Sequence, residues 1–231
     1  MTENSKAIVL LSGGLDSCTC LALAIQEVGR ENVHTISISY GQKHSKELKC
    51  AEDIAKHYGV PHQTLDISEI FKSSNCSLLS NSTENVPEGS YDEQIEKSGR
   101  VSTYVPFRNG VMLSIVAAIA QSVWPNDYVT IYLGNHQDDA AGEAYPDCSL
   151  AFTQYMDKAI SQGTYELVHL KSPFVNNTKA DIVAWGLKHD VPYEKSWSCY
   201  NGNETPCHKC GTCIDREEAF KLNGTIDPLC K

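Results

Sequence analysis

The chain has 231 residues, 41% of them hydrophobic, and a formal charge of −10. That apolar fraction excludes a disordered polymer, and the length suits one sizeable α/β domain with a small appendage. The negative charge argues against a broad phosphate-tracking surface for tRNA or DNA, and no apolar run reaches membrane-spanning length. Residues 1–6 lack the pattern of a signal peptide, so a cytoplasmic location is expected, with the ten cysteines mostly reduced. The apolar run Ala7–Leu11 predicts a first strand over 7–11, and the pattern after it predicts a helix over 16–28. Between them stands Ser12-Gly13-Gly14-Leu15-Asp16-Ser17. Two glycines permit a sharp turn, and the helix start that follows presents unpaired N–H groups and partial positive charge. Such a unit is built to hold phosphate, although the Walker pattern is absent. An ordinary Gly-Gly turn with a Ser/Asp helix cap is the plainer reading. Ser12, Gly13, Gly14 and Ser17 are the expected cradle. Leu11, Leu15, Asp16, Cys18 and Thr19 complete the expected nucleotide-binding stretch. For Asp16 itself two roles stand open, a magnesium ligand or a helix cap.

A strand is expected over 33–39, ending at Tyr40-Gly41-Gln42. Leu48, Ala51, Ile54, Ala55 and Tyr58 recur at helical spacing and predict a helix over 45–58, stopped by Gly59 and Pro61. A strand over 62–67 and a short helix near 68–71 follow. Residues 73–100 are polar and break the rhythm; they read as an insertion, either a mobile lid beside the site or a flexible surface loop. A nearly all-apolar helix over 109–123, a strand over 128–133, a helix over 149–162, a strand over 166–171 and a helix over 178–188 complete the alternation. Strands alternating with helices predict a Rossmann-like parallel sheet with helices on both faces. Ligands of such sheets sit beyond the strands' carboxyl ends, where the Ser12–Ser17 turn, Tyr40-Gly41-Gln42 and Gly134-Asn135-His136 should meet. The expected organisation is a nucleotide domain over 1–190 and a small C-terminal module over 191–231.

That module carries Cys199, Cys207, Cys210 and Cys213, spaced C-x7-C-x2-C-x2-C. Four thiolates can close a tetrahedral shell around zinc and leave no open position, so a structural site is expected. A redox pair at Cys210 and Cys213 and an iron–sulfur cluster are the rival readings. His208 is an alternate ligand or an exposed neighbour. Cys18, Cys20 and Cys50 lie in helical patterns and read as small core residues.

The Ser12–Ser17 loop resembles the pyrophosphate loop of the ATP pyrophosphatase superfamily. With Tyr40-Gly41-Gln42-Lys43-His44, Tyr104-Val105-Pro106-Phe107-Arg108-Asn109, Tyr145-Pro146-Asp147-Cys148, Cys199-Tyr200-Asn201-Gly202 and the CxxCxxC tail, nearly the full chain resembles the 7-cyano-7-deazaguanine synthase family. Leu15 stands where that family commonly has glutamine, and Phe107 where it commonly has glycine or alanine. The resemblance implies ATP-driven conversion of 7-carboxy-7-deazaguanine and ammonium to the nitrile, with magnesium and zinc as cofactors. It also implies a homodimer and no direct contact with nucleic acid. Cleavage of ATP to AMP and pyrophosphate is the superfamily expectation; ADP and phosphate is the alternative. A tRNA-modifying relative and a deazaguanine-type ligase with an altered substrate are the competing readings.

Expected roles follow. Arg108 is a fixed cation for phosphate or the substrate carboxylate, or else a surface ion-pair partner. Asp138, Asp139 and Glu143 form an acidic patch for magnesium or the guanidine-like edge of the base, or else a solvated loop. Asp147 is the preferred acceptor for the N1–H and 2-amino groups of a deazaguanine, since a carboxylate accepts two parallel donors. Lys179 either reaches the phosphates or is an ordinary solvated lysine. Phe107 or Tyr145 stacks on the base or belongs to the core. Asp16, Ser17, Arg108 and Asp147 are the expected catalytic set.

Overall fold

The computed structural model describes residues 5–98, 101–140 and 144–230. Strands β1 (Ser5–Leu10), β2 (Val33–Ser39), β3 (His62–Asp66), β4 (Tyr128–Tyr132) and β5 (Val168–Lys171) form one sheet in the order β3-β2-β1-β4-β5. Every pairing is parallel. The helices are α1 (Leu15–Val28), α2 (Lys46–Tyr58), α3 (Ser68–Phe71), α4 (Tyr91–Ser98), α5 (Arg108–Val123), α6 (Gln137–Ala140), α7 (Leu150–Gly163), α8 (Lys179–Lys188) and α9 (Gly211–Leu222).

The apolar run of β1 has a physical cause. Ala7, Val9 and Leu11 enter one core, while Ile8 and Leu10 enter another on the opposite face. A parallel strand buried on both faces cannot alternate polar with apolar. The first core takes side chains from α1, α2, α8 and α9, the second from α5 and α7. Helices therefore cover both faces, as expected.

Most boundaries shift by one or two residues from expectation, and two of the shifts have a clear local cause. The fifth strand begins at Val168 because Tyr165 and Glu166 have positive φ (54° and 61°) and make the turn into it. The third ends at Asp66, whose Oδ1 accepts the Ser68 N–H at 2.8 Å and starts α3.

The polar stretch after residue 73 is more ordered than its composition suggests. Cys76, Leu78 and Leu79 are buried with Tyr40, Phe71 and Val105, Leu79 bridges Gln42, and α4 lies within it. The few apolar residues of this polar run are too scattered to show a period, which is why no element is legible there.

Beyond residue 190, α9 packs on α8, and its Ala219 and Phe220 join the same core as Leu21 and Ile182. Arg216 beside them is buried and pairs with Asp227, Nε to Oδ2 at 2.7 Å. Phe220 is 1% exposed. Phe220→Ala should therefore destabilise the whole α/β fold by about 3–5 kcal/mol in one transition. Urea unfolding followed by far-ultraviolet dichroism reads this; a second, separate transition for residues 191–231 would contradict it.

Candidate active site

The carboxyl end of β1 runs straight into the Ser12–Gly14 loop. Gly13 has φ +88°, and a Cβ there would lie 2.1 Å from the Glu47 carbonyl oxygen. Both facts require glycine and press the loop against the start of α2. Ser17 Oγ accepts the Ser12 N–H at 3.2 Å, lies 3.0 Å from Ser12 Oγ and donates to the Gly14 carbonyl at 3.2 Å. The two serines thus hold the loop in shape. Gly14 occupies the N-cap of α1 with no side-chain cap. Asp16 therefore does not cap the helix. Its Oδ2 lies 3.9 Å from Lys179 Nζ and 3.8 Å from His136 Nε2, and its Oδ1 is buried without a hydrogen-bond partner. Leu11 lines the cavity beside this loop. Leu15, Cys18 and Thr19 instead face the core, where Thr19 Oγ1 bonds the Leu15 carbonyl and the Tyr193 hydroxyl.

Lys179 opens α8 and is 7% exposed, so it is not a solvated lysine. Burial opposes its charge, but the carboxylates of Asp16, Asp139, Asp215 and Asp138 outweigh that and raise its pKa. Its backbone N–H donates to Asp138 Oδ2 at 2.8 Å. His136, 1% exposed, has no hydrogen bond at either ring nitrogen, yet its Nε2 lies 3.4 Å from Asp139. In sequence, His136 is visible as part of a turn after a strand, beside Asp138 and Asp139 but with no sign of Asp16. Asp215 carried no signal at all, because it comes from α9. Glu143 lies outside the described residues.

A cavity of about 210 Å3 opens from the loop across the carboxyl edge of the sheet. Leu10, Ile36, Ile38, Met112 and Leu133 form its apolar part, and Glu47, Arg108, Asn109, Asp139 and Lys179 its polar part. Arg108 is half-buried, with its guanidinium 5.2 Å from the centre of the Tyr40 ring and Nη1 3.5 Å from the Tyr40 hydroxyl. It is committed to the cavity and to no surface ion pair. Burial pushes the Glu47 carboxyl up to about 7, against the pull of Arg108. The tyrosines on the wall are Tyr40, Tyr91 and Tyr200, the last two joined hydroxyl to hydroxyl at 3.0 Å. Phe107 and Tyr145 do not line it. Phe107 is 53% exposed with φ +52° and packs on Phe152; Tyr145 is buried and bonds Thr103.

Asp147 departs most from expectation. It is buried below the cavity, absent from its lining. Its Oδ2 accepts the Asn109 N–H at 3.0 Å, and its carbonyl accepts from Asn109 Nδ2 at 3.1 Å. Burial raises its pKa, and the Asn109 N–H opposes that. The carboxylate serves the unpaired N–H groups at the start of α5, a demand that short motifs do not display.

The four C-terminal cysteines converge as expected. Their sulfurs all lie within 4.8 Å of one another, and Cys207 and Cys213 are 3.9 Å apart. A tetrahedral shell with metal–sulfur bonds of about 2.3 Å places sulfurs about 3.8 Å apart, so the set fits zinc. Backbone N–H groups of Asn201 and Cys207 point at Cys199 Sγ. Thiol donors from Cys210 and Cys213 hold the Cys199 thiol far below its usual range, while Cys199 pushes Cys210 up to about 12. His208 is exposed and pairs with Glu217 instead.

A phosphate loop at the carboxyl edge of a five-stranded parallel sheet, opening on a cavity walled by Arg108 and Lys179, defines a nucleotide-handling enzyme of the PP-loop type. The family profile described as queuosine biosynthesis protein QueC matches residues 6–224, and the chain belongs to that family. Its relatives include 7-cyano-7-deazaguanine synthase of Pseudoalteromonas translucida, 42% identical over 97% of this chain and 97% of that one. The 7-cyano-7-deazaguanine synthase of Archaeoglobus fulgidus is also 42% identical, over 97% of this chain and 89% of its own. Among solved structures, the NH3-dependent NAD synthetase of Campylobacter jejuni matches at 14% identity and a TM-score of 0.47, covering 84% of this chain and 68% of that one. No described helix is long and apolar enough to cross a membrane.

Proposed function

We propose that this enzyme converts 7-carboxy-7-deazaguanine and ammonia to 7-cyano-7-deazaguanine, using ATP twice. The observation that carries the reading is the phosphate loop opening directly onto a cavity whose wall holds Arg108, in a chain of this family. A carboxylate is a poor electrophile because oxide would have to leave. In the first activation its oxygen attacks the α-phosphorus of ATP and pyrophosphate departs. Ammonia displaces AMP from the resulting mixed anhydride and gives the amide. A second ATP activates the amide oxygen, and loss of that oxygen with AMP leaves the nitrile.

Ser12, Gly13, Gly14 and Ser17 cradle the departing pyrophosphate, and Lys179 offsets its charge. Arg108 pairs with the substrate carboxylate or the α-phosphate. The apolar part of the cavity suits the adenine ring. Asp147 acts through α5, holding Asn109 and Arg108 in place. The unpartnered Oδ1 of Asp16 fits a hard cation, so Asp16 would hold magnesium, which neutralises phosphate charge when bound. Cys199, Cys207, Cys210 and Cys213 would hold zinc, whose closed shell supplies structure. The exposed Phe107, Leu150 and Tyr155 support a homodimer. A cytoplasmic setting, with mostly reduced cysteines, suits a thiolate site.

Incubation with ATP, ammonium and 7-carboxy-7-deazaguanine should yield the nitrile and one AMP per activation, read by chromatography. Nucleotide turnover that ignores the deazaguanine would overturn the reading; ADP in place of AMP would overturn the adenylation route.

A further inference from the structure

We infer that Glu47 receives ammonium and takes its proton, at a nucleophile subsite between the phosphate loop and Trp197; this rests on the synthase reading above. Three observations lead there. Glu47 is half-buried in the first turn of α2 and lines the cavity together with Ser12, Gly14, Arg108 and Trp197. Its carboxylate makes no hydrogen bond with any described residue, and the opposite charge that acts on it is Arg108. The other acids on the cavity wall sit at the opposite side of the loop, where Asp16 lies 3.9 Å from Lys179 Nζ and 3.8 Å from His136 Nε2, and Asp139 3.4 Å from His136 Nε2.

Position decides what the free carboxylate is for. The Glu47 carbonyl lies where a Gly13 Cβ would be, and Trp197 donates its N–H to the Gly13 carbonyl at 2.8 Å. Glu47 and Trp197 therefore border the loop that takes pyrophosphate, next to the α-phosphorus on which the acyl adenylate forms. A carboxylate there meets the incoming nitrogen rather than the remote edge of the base.

Ammonium has no lone pair to attack with. The negative carboxylate attracts the cation and accepts one proton, leaving ammonia and a carboxylic acid. The nitrogen pair then forms the C–N bond as the C–O bond to AMP breaks and AMP leaves with its electrons. The added nitrogen sheds one more proton to solvent, giving the amide. After the second ATP has been attacked by the amide oxygen and one nitrogen proton has been lost, the last proton leaves the same nitrogen. The C–O bond then breaks, AMP departs with the bonding pair, and the nitrile forms. Once Glu47 has returned its first proton to solvent, the same carboxylate accepts this last one, so a base fixed beside that nitrogen serves both ends of the sequence.

Glu47→Gln keeps the shape and removes the base. With a melting curve confirming the fold, its ammonium-dependent rate should fall by at least about 100-fold, within the range for a general base. Hydroxylamine is uncharged near neutral pH and needs no deprotonation before attack. It should trap the acyl adenylate as the hydroxamate in Glu47→Gln within about threefold of the wild-type rate. Retained ammonium turnover, or an equal loss of hydroxamate, would overturn the inference. Wild-type enzyme that forms neither hydroxamate nor nitrile would instead sink the synthase reading itself. If Glu47→Gln melts early, Glu47→Asp provides the same comparison: a shortened base should slow the ammonium reaction and leave hydroxamate formation intact.

Discussion

The double variant Asp16→Ala, Ser17→Ala should lose ATP-dependent turnover almost completely while remaining folded. Ser17 Oγ makes contacts to Ser12 N, Ser12 Oγ and the Gly14 carbonyl, so its loss unties the loop at three points. Asp16 supplies the orphaned oxygen that a cation on ATP would take, and it faces Lys179 and His136. Losing one preorganised group at a developing charge costs roughly 100- to 1,000-fold. Two groups on one loop should exceed that. Stability should change little, because Asp16 caps nothing and both side chains meet the cavity rather than the core. Steady-state kinetics beside a melting curve give the measurement. Wild-type turnover in a folded double variant would remove the phosphate loop from the chemistry.

Loss of metal from the cysteine quartet should have an effect of similar size by another route. One zinc per chain is expected by elemental analysis, and Cys210→Ser or exhaustive chelation should remove it. Binding free energy at such sites becomes folding free energy, apparently about 10–16 kcal/mol in small zinc modules. A small part of that, spread over a chain of this length, lowers Tm by more than about 10 °C. Activity should fall as well, because Trp197, Ser198, Tyr200 and Thr212 lie among the quartet or next to it and line the cavity. Trp197 also holds Gly13 through its backbone, and Lys46 lies over the Trp197 ring and bonds the carbonyls of Asn203 and Glu204. Iron in place of zinc, or full stability without metal, would refute the structural-zinc reading.

Local signals carried much of this molecule. Apolar runs followed by helical periods announced a parallel sheet, since strands buried on two faces have no other way to be written. The Ser12–Ser17 loop and the cysteine quartet were legible for the same reason: each is a contiguous segment marked by its own residue types and spacing. The Gly13 conformation and the Ser12–Ser17 knot lie within a few residues of chain, and the four sulfurs converge from the single segment 199–213.

The remaining features depended on contacts between distant segments. Asp147 and Glu47 are both single carboxylates near recognisable motifs, and nothing in their neighbours tells them apart. Folding places one under the start of α5, where an unpaired N–H claims it, and the other on the cavity wall with no hydrogen bond to any described residue. His136 acquires its carboxylates from α1 and from the turn after β4, and Asp215 arrives from α9. The same holds for the chain after residue 190: its cysteines announce a metal site, but Ala219 and Phe220 enter the core beside α1 and α8 through packing that has no local signature. Hydrogen-bond demand and core packing are satisfied by whatever the fold brings near, so these roles appear once the segments have met.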